Sequence, residues 1–139
     1  KMNFFQPSWI YLENLYGKDV LENVCIEEIY FGKWKSPIEK GYLIYVIATL
    51  KRPPKNKLKN WNNAIGANIV LTFFGYFGFG YFNFSMRKLL KIKNKNAKIL
   101  IKKIETSKNI MKIELKLYDC EMWFYAYQMS VGVSRIVIE

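Results

Sequence analysis

Few side chains in this sequence could carry acid–base or metal chemistry, and their spacing does not bring them together. The 139 residues include no histidine, which removes the commonest general base and the commonest zinc ligand. Glu27 and Glu28 are neighbours in a predicted strand and therefore point to opposite faces of it. Asp119 and Glu121 fall in a predicted turn, where solvated carboxylates are more common than catalytic or metal-binding ones. The sequence thus favours a protein with no catalytic residues, no metal and no cofactor.

The cysteines and the clustered glycines do not form a reactive motif either. Cys25 and Cys120 are far apart and match no metal-binding or redox spacing, so we expect reduced packing residues. Gly75, Gly78 and Gly80 lie between two predicted strands, whereas a phosphate-binding glycine motif lies between a strand and a helix. The N-terminal apolar run is too short for a signal peptide, which predicts a cytoplasmic protein.

Positive charge is concentrated in the middle of the chain. Residues 1–39 carry four basic and six acidic side chains, whereas residues 40–104 carry fourteen basic and no acidic ones. Residues 105–139 carry four basic and five acidic side chains, which gives the net charge of +11. This asymmetry predicts a positive region that attracts an acidic protein surface or a phosphate backbone. A compositional bias towards lysine, with no ligand, is the equally supported alternative.

No charged residue lies between Lys59 and Arg87, and this stretch admits three interpretations. Residues 64–86 are long enough for a membrane-spanning helix, although asparagines and glycines disfavour such a helix in lipid. A nucleic-acid stacking platform would use exposed aromatic rings beside basic side chains. The residues concerned would be Tyr76, Phe77, Phe79, Tyr81 and Phe82, next to Arg87 and Lys88. We favour the third interpretation, a central β-hairpin of strands 68–74 and 79–84 that is buried on both faces.

The N-terminal third of the chain predicts a short helix and then a strand. Residues 8–17 begin with a capping serine and end with glycine, and Trp9, Leu12 and Tyr16 share one helical face. So short a helix must dock on the rest of the domain to be stable. Residues 20–31 alternate as a strand does, and a turn is predicted at 32–37.

The remaining pattern predicts a series of strands interrupted by one basic loop. Residues 42–50 are apolar on both faces, as in a central strand, and residues 51–60 combine two prolines with five basic residues in an exposed loop. Residues 87–98 fit a basic helix or a strand, and 97–105 with 110–118 predict a hairpin. Two further strands are predicted, at 122–129 and 133–138. We therefore expect one β-rich domain over residues 1–139, mainly β, built as an antiparallel sandwich or strongly curved sheet of about eight strands with one short N-terminal α-helix.

Several short motifs follow one another along most of the chain. They are Leu15-Tyr16-Gly17 before strand 24–31, Pro53-Pro54 followed by Trp61, Asn68–Gly75, Phe79–Phe82, and Trp123–Tyr127 before strand 133–138. Together they resemble family fifty of the immunity proteins that protect bacteria against their own polymorphic toxins. The lysine-rich stretch 87–103 departs from that pattern, which has a shorter and less basic connection. The resemblance implies a small cytoplasmic protein that binds one cognate toxin stoichiometrically and blocks it without catalysis.

The basic segments on either side of the uncharged stretch are the predicted contact surface for an acidic patch on that toxin. The candidate residues are Lys51, Arg52, Lys55, Lys57, Lys59, Trp61, Arg87, Lys88 and Lys91. Trp61 is either an aromatic anchor for the partner or a core indole that closes one end of the sheet. The alternative function is a small basic nucleic-acid-binding domain that uses an aromatic sheet face and the flanking lysines. An exposed sheet edge would also support a homodimer, and no membrane association is expected.

Overall fold

One helix and eight strands make up the protein in the computed structural model, which describes residues 7–35, 40–85, 87, 95–103 and 110–138. The elements in chain order are α1 (Pro7–Tyr16), β1 (Val24–Lys35), β2 (Lys40–Leu50), a 3₁₀ turn (Lys59–Trp61), β3 (Ala64–Phe74), β4 (Phe77–Phe82), β5 (Lys95–Lys103), β6 (Met111–Lys116), β7 (Glu121–Ala126) and β8 (Gln128–Ile138). The prediction of a mainly β domain with about eight strands and one N-terminal helix is confirmed.

The strands form one antiparallel sheet in the order β4-β7-β6-β5-β1-β2-β3-β8, so β4 and β8 are its edges. The sheet bends back on itself because β5 is shared between two halves. Residues 95–97 pair with β1, and residues 98–103 pair with β6. The first layer is β1, β2, β3 and β8, and the second is β4, β7, β6 and most of β5. Register irregularities in β1, β3 and β4 add to the bending.

The core lies between the inner faces of the two layers. Alternate residues of β2, from Ile44 to Leu50, are buried there, and so are alternate residues of β6, from Met111 to Leu115. Phe73 of the first layer meets Phe124 of the second edge to face, with ring centres 5.4 Å apart. Alternate residues along these strands are therefore buried, and each layer turns one face towards the core.

Helix α1 covers one end of the space between the layers. The predicted face of Trp9, Leu12 and Tyr16 is buried, together with Leu15. Burial of side chains of this size stabilises the fold by about 1.5–3 kcal/mol each, which the ten-residue helix needs because it would not persist alone. The helix ends at Gly17, whose positive φ of 94° closes the last turn.

Three predictions about turns and strands need correction in the first layer. Gly32 and the three residues after it do not form a turn, because they continue β1 and pair in register with residues 40–43 of β2. A regular ladder of backbone hydrogen bonds outweighs the turn preference of one glycine here. The strand also begins later than predicted, at Val24 rather than residue 20. Finally, one face of β2 is only half-buried, so that strand is central by pairing but not buried on both faces.

The predicted central hairpin over residues 68–84 is wrong. β3 pairs with β2 and β8, whereas β4 pairs with β7 at the opposite end of the strand order. The chain crosses from one layer to the other in the two residues Gly75 and Tyr76. Residues 64–74 and 77–82 are strands rather than a membrane-spanning helix, and no helix among the described residues is long and apolar enough to cross a bilayer.

Candidate functional site

The predicted basic loop lies against the C-terminal end of α1, and part of it is structural. Lys51, Lys57 and Lys59 are exposed, and none of them forms an ion pair with another described residue. Arg52 and Lys55 point back towards the protein. The loop therefore divides into three lysines that are available to a partner and two cations that hold the fold.

Arg52 is the centre of the structural half of the loop. Its guanidinium donates hydrogen bonds to the carbonyl oxygens of Val20 (3.1 Å) and Asn23 (2.9 Å). The group also lies 5.6 Å from the centre of the Tyr16 ring, and the Tyr16 hydroxyl donates to the Arg52 carbonyl at 3.1 Å. Burial raises the pKa of that hydroxyl, which the nearby arginine partly offsets. These contacts fix the irregular segment between α1 and β1.

The neighbouring residues of the loop complete the same contact. Lys55 forms a 3.1 Å ion pair with Asp19, and this hydrogen bond holds the pKa of the carboxyl below its usual range. Asn56 donates from its backbone to the carbonyl of Leu15 (3.1 Å) and from its side-chain amide to the carbonyl of Asn14 (2.7 Å). The last turn of a helix has carbonyl groups with no partner in the helix, so Asn56 acts as a cap supplied by a distant segment.

Trp61 is a core residue, and its role as an exposed anchor needs correction. Only 1% of its surface is exposed. The indole N–H donates to the Tyr11 hydroxyl at 2.7 Å, and the ring meets Tyr16 edge to face at 6.0 Å. A side chain so enclosed contacts no partner unless the loop and α1 separate. The other interpretation, a core indole at one end of the sheet, is the one that the structure supports.

The second predicted basic segment is described only in part. Arg87 is exposed shortly after β4, whereas Lys88 and Lys91 lie outside the described residues. The loop precedes β3 and Arg87 follows β4, so these two strands separate the basic segments along the chain.

The most exposed apolar surface is the edge strand β4, which the sequence analysis placed in the core. We call this surface the aromatic edge, and it consists of Phe77 (39% exposed), Phe79 (42%), Tyr81 (59%) and Phe82 (66%). Phe79 contacts Phe31 of the first layer, with ring centres 5.9 Å apart. The aromatic edge carries no charge, and exposed aromatic side chains concentrated on one strand of a small domain make it a candidate interaction site.

Rings from β7 and from the residue after it extend the aromatic edge across the neighbouring strand. Trp123 of β7 lies over Gly80 and Tyr125 over Gly78, while Tyr127 lies over Gly75. At Gly78 an added Cβ would lie 2.8 Å from the Tyr125 ring, and at Gly75 it would lie 2.9 Å from the Tyr127 ring. Phe77 stacks on Tyr125 with ring centres 5.7 Å apart. The three glycines are therefore spaced to accept three rings that alternate along one face.

Lysines border these rings on the outer face of the second layer. Lys112 Nζ lies 5.7 Å from the centre of the Trp123 ring. Lys102 and Lys112 both approach Glu114, at 2.6 Å and 3.7 Å, and Lys116 approaches Glu121 at 3.9 Å. The hydrogen bond from Lys102 is the main reason that the pKa of the Glu114 carboxyl is lowered, against the opposing effect of burial. This face combines aromatic rings with cations that are each paired to a carboxylate.

Reactive groups are sparse in the described part of the chain. No group of three or more cysteine, aspartate and glutamate side chains among these residues is placed to hold a metal ion. Cys25 and Cys120 are both buried, as expected of packing residues. This surface offers aromatic rings, positive charge and a strand edge with no partner among the described strands on its outer side. These are features of a binding site.

The sequence contains a signal for the rings of β7 that our sequence analysis did not use. Trp123, Tyr125 and Tyr127 alternate with Met122, Phe124 and Ala126, which predicts an aromatic outer face and an apolar inner face. The exposure of β4 has no comparable signal, since its residues are apolar at almost every position. Comparison of the chain with protein-family models, with curated proteins and with solved structures found no match.

Proposed function

We propose that this chain is a non-catalytic immunity protein that acts in the cytoplasm by binding and neutralising a cognate bacterial toxin through protein–protein contact. The observation that carries the proposal is the aromatic edge, four exposed aromatic side chains on one uncharged edge strand. The ordered motifs from Leu15-Tyr16-Gly17 to strand 133–138 support it by their resemblance to immunity family fifty.

The aromatic edge has the composition of the centre of a protein interface. Such centres are depleted of charge and rich in Phe, Tyr and Trp, and a few aromatic side chains there supply most of the binding energy. Tyr81 and Phe82 are the most exposed members, so they lose the most accessible surface to a partner. Truncation of an interface hot spot costs about 2 kcal/mol or more in binding free energy.

Positively charged side chains near this uncharged centre indicate the charge of the partner, although Lys112 is itself paired with Glu114. Arg87 follows β4, Lys112 borders Trp123, and Lys33 lies 5.8 Å from the centre of the Tyr42 ring. Complementary charge increases the rate of association and selects against the wrong partner. The toxin therefore presents an apolar contact area with acidic residues around it.

Co-expression with a toxin encoded next to this gene tests the proposal. We expect growth to be restored and a stoichiometric complex to be isolated, and we expect Tyr81→Ala with Phe82→Ala to weaken that complex at least tenfold. Tyr30→Ala is the matched control, because Tyr30 is an exposed tyrosine on the outer face of β1 that stacks on Tyr45 at 4.8 Å and lies outside the aromatic edge. If neither rescue nor a complex is observed with the adjacent toxin, the proposal is rejected.

A single-stranded nucleic acid is the second candidate ligand, and one observation favours it. The rings of Trp123 and Tyr125 lie across glycines of β4 with the Lys112 ammonium beside them, and bases stack on such rings. The pairing of the nearby lysines with Glu114 and Glu121 counts against strong phosphate binding. A salt titration with mixed single-stranded DNA and RNA tests this candidate, because binding to nucleic-acid phosphates weakens steeply as salt is added.

A further inference from the structure

The outer backbone edge of β4 faces no other described strand. Among the described strands, β4 pairs with β7 alone. In an antiparallel pair, alternate residues direct their N–H and C=O groups away from the partner strand. β4 therefore offers backbone donors and acceptors to an added strand beside its exposed aromatic side chains.

This edge lacks most of the features that prevent strand addition. Edge strands are usually protected by lysine, proline, a bulge or a covering element. β4 contains neither a charged residue nor proline, and its one irregularity lies between Phe77 and Gly80. Beyond that bulge, Gly80, Tyr81 and Phe82 pair regularly with Trp123, Met122 and Glu121. The regular part of the edge is thus the part with the most exposed side chains.

We propose that an extended segment of the cognate toxin binds by adding a strand to β4 next to Gly80–Phe82. This inference rests on the proposed function and specifies how the toxin is bound. Backbone hydrogen bonds supply affinity in strand addition, and side chains at alternate positions supply specificity. The added strand extends the second layer by one strand.

The structure also defines the chemistry of that segment. Tyr81 pairs with the buried Met122, so it lies on the inner face, while Phe82 lies on the outer face. Gly80 has no side chain, so a toxin residue beside it reaches the Trp123 ring. The segment therefore carries apolar residues beside Gly80 and Tyr81, and acidic residues where it passes Arg87.

Charge favours a toxin segment over a second copy of this chain. Residues 87–103, which follow β4, include eight basic and no acidic residues, and the whole chain carries +11. Two copies of so positive a chain repel each other, and this repulsion opposes association through β4. An acidic partner gains from the same charges.

Amide hydrogen exchange on the complex with the adjacent toxin tests the inference. We expect exchange of the amides within Gly80–Phe82 that point away from β7 to slow by about tenfold or more on binding, while exchange in the other edge strand, β8, stays unchanged. The proline variants Tyr81→Pro and Phe82→Pro separate backbone from side-chain contacts when each is compared with alanine at the same position. Exchange in the free protein identifies which of the two N–H groups points away from β7. Proline at that position should keep the fold and weaken binding at least tenfold more than alanine does.

Each other outcome has a distinct meaning. A tight complex in which β4 amides exchange as fast as in the free protein overturns strand addition and leaves the immunity function standing. Light scattering that shows a dimer of the free chain with β4 amides already protected assigns the edge to a second copy and also overturns it. Failure of the toxin to bind at all rejects both proposals together.

Discussion

Gly80 of β4 lies directly beneath the indole ring of Trp123 of β7, so close that a Cβ at position 80 would overlap the ring atoms Cε2, Nε1 and Cζ2. The two residues are opposite each other in the antiparallel pair. An aromatic ring that lies over a glycine in the neighbouring strand covers the exposed backbone and fixes the register. This contact attaches the aromatic edge to the rest of the second layer.

Gly80→Ala should lower the free energy of unfolding by about 1–3 kcal/mol, because the indole must move or β4 must shift to accept the methyl group. Gly132→Ala is the control, since a Cβ at Gly132 of β8 meets nothing within 4 Å. That variant should be neutral or slightly stabilising, because alanine loses less backbone entropy on folding. Urea unfolding measures both, and equal effects would contradict the assigned contact.

Arg52→Met should destabilise the protein by about 1–3 kcal/mol, because two carbonyl groups lose a charged donor while the length of the side chain is kept. The matched control is Lys57→Met in the same loop, where the lysine is exposed and makes no ion pair with a described residue. The melting temperatures of the two variants compare Arg52, which bonds to the fold, with Lys57, which faces solvent. Similar melting temperatures of the two variants would mean that Arg52 contributes no more to stability than the exposed Lys57.

Glu114→Gln should destabilise the protein at neutral pH, and the difference from the parent protein should vanish in acid. The pKa of Glu114 is lower in the folded state than its ordinary value, chiefly because of the hydrogen bond from Lys102. A carboxyl of this kind stabilises the fold above its ordinary pKa of about 4.3, and the contribution is lost as pH falls through the lowered folded value. Unfolding curves between neutral pH and about pH 3 check the convergence. Glu121→Gln, at a more exposed pair, should have the smaller effect.

Lys57→Glu with Lys59→Glu should slow toxin association at low salt by roughly tenfold or less and leave the dissociation rate unchanged. The reason is distance, since Phe79 of the aromatic edge contacts Phe31, which lies near the end of β3 opposite to the basic loop. Charges separated by more than a Debye length of about 8 Å are largely screened at physiological salt, so the effect should fade there. Surface plasmon resonance separates the two rates. A faster dissociation would mean that the loop touches the toxin directly.

The overall class of the fold was predictable because it depends on local alternation. Met111, Ile113 and Leu115 alternate with lysine and glutamate in β6, and this pattern admits only a strand with one buried face. The buried face of α1 was predictable for the same reason, from the spacing of Trp9 and Leu12.

The partners of β3 and β4 were not predictable, because they depend on distant residues. Two strands separated by Gly75 and Tyr76 usually form a hairpin, but here β8 and β7 pair with them instead. An uncharged aromatic run is compatible with a buried central strand and with an exposed edge used for binding. Only the pairing of β4 with β7 distinguishes the two, and it places the aromatic side chains of β4 on the surface.

The basic loop shows the same limit at the level of single residues. Arg52 and Lys57 look alike in the sequence, yet one donates to the carbonyls of Val20 and Asn23 and the other faces solvent. The difference arises from the segment between α1 and β1, which packs against the loop although Val20 and Asn23 lie 32 and 29 residues before Arg52. Composition identifies a positive loop, but tertiary contacts decide which of its charges remain available.

The cap that Asn56 places on α1 has a kinetic consequence. The carbonyls of Asn14 and Leu15 receive their donor from a residue about 40 positions later, so the last turn of α1 is completed only after β2 has been made. Contacts between distant segments form slowly because the intervening chain must first be ordered. We therefore expect the last turn of α1 to become ordered only when the basic loop packs against it.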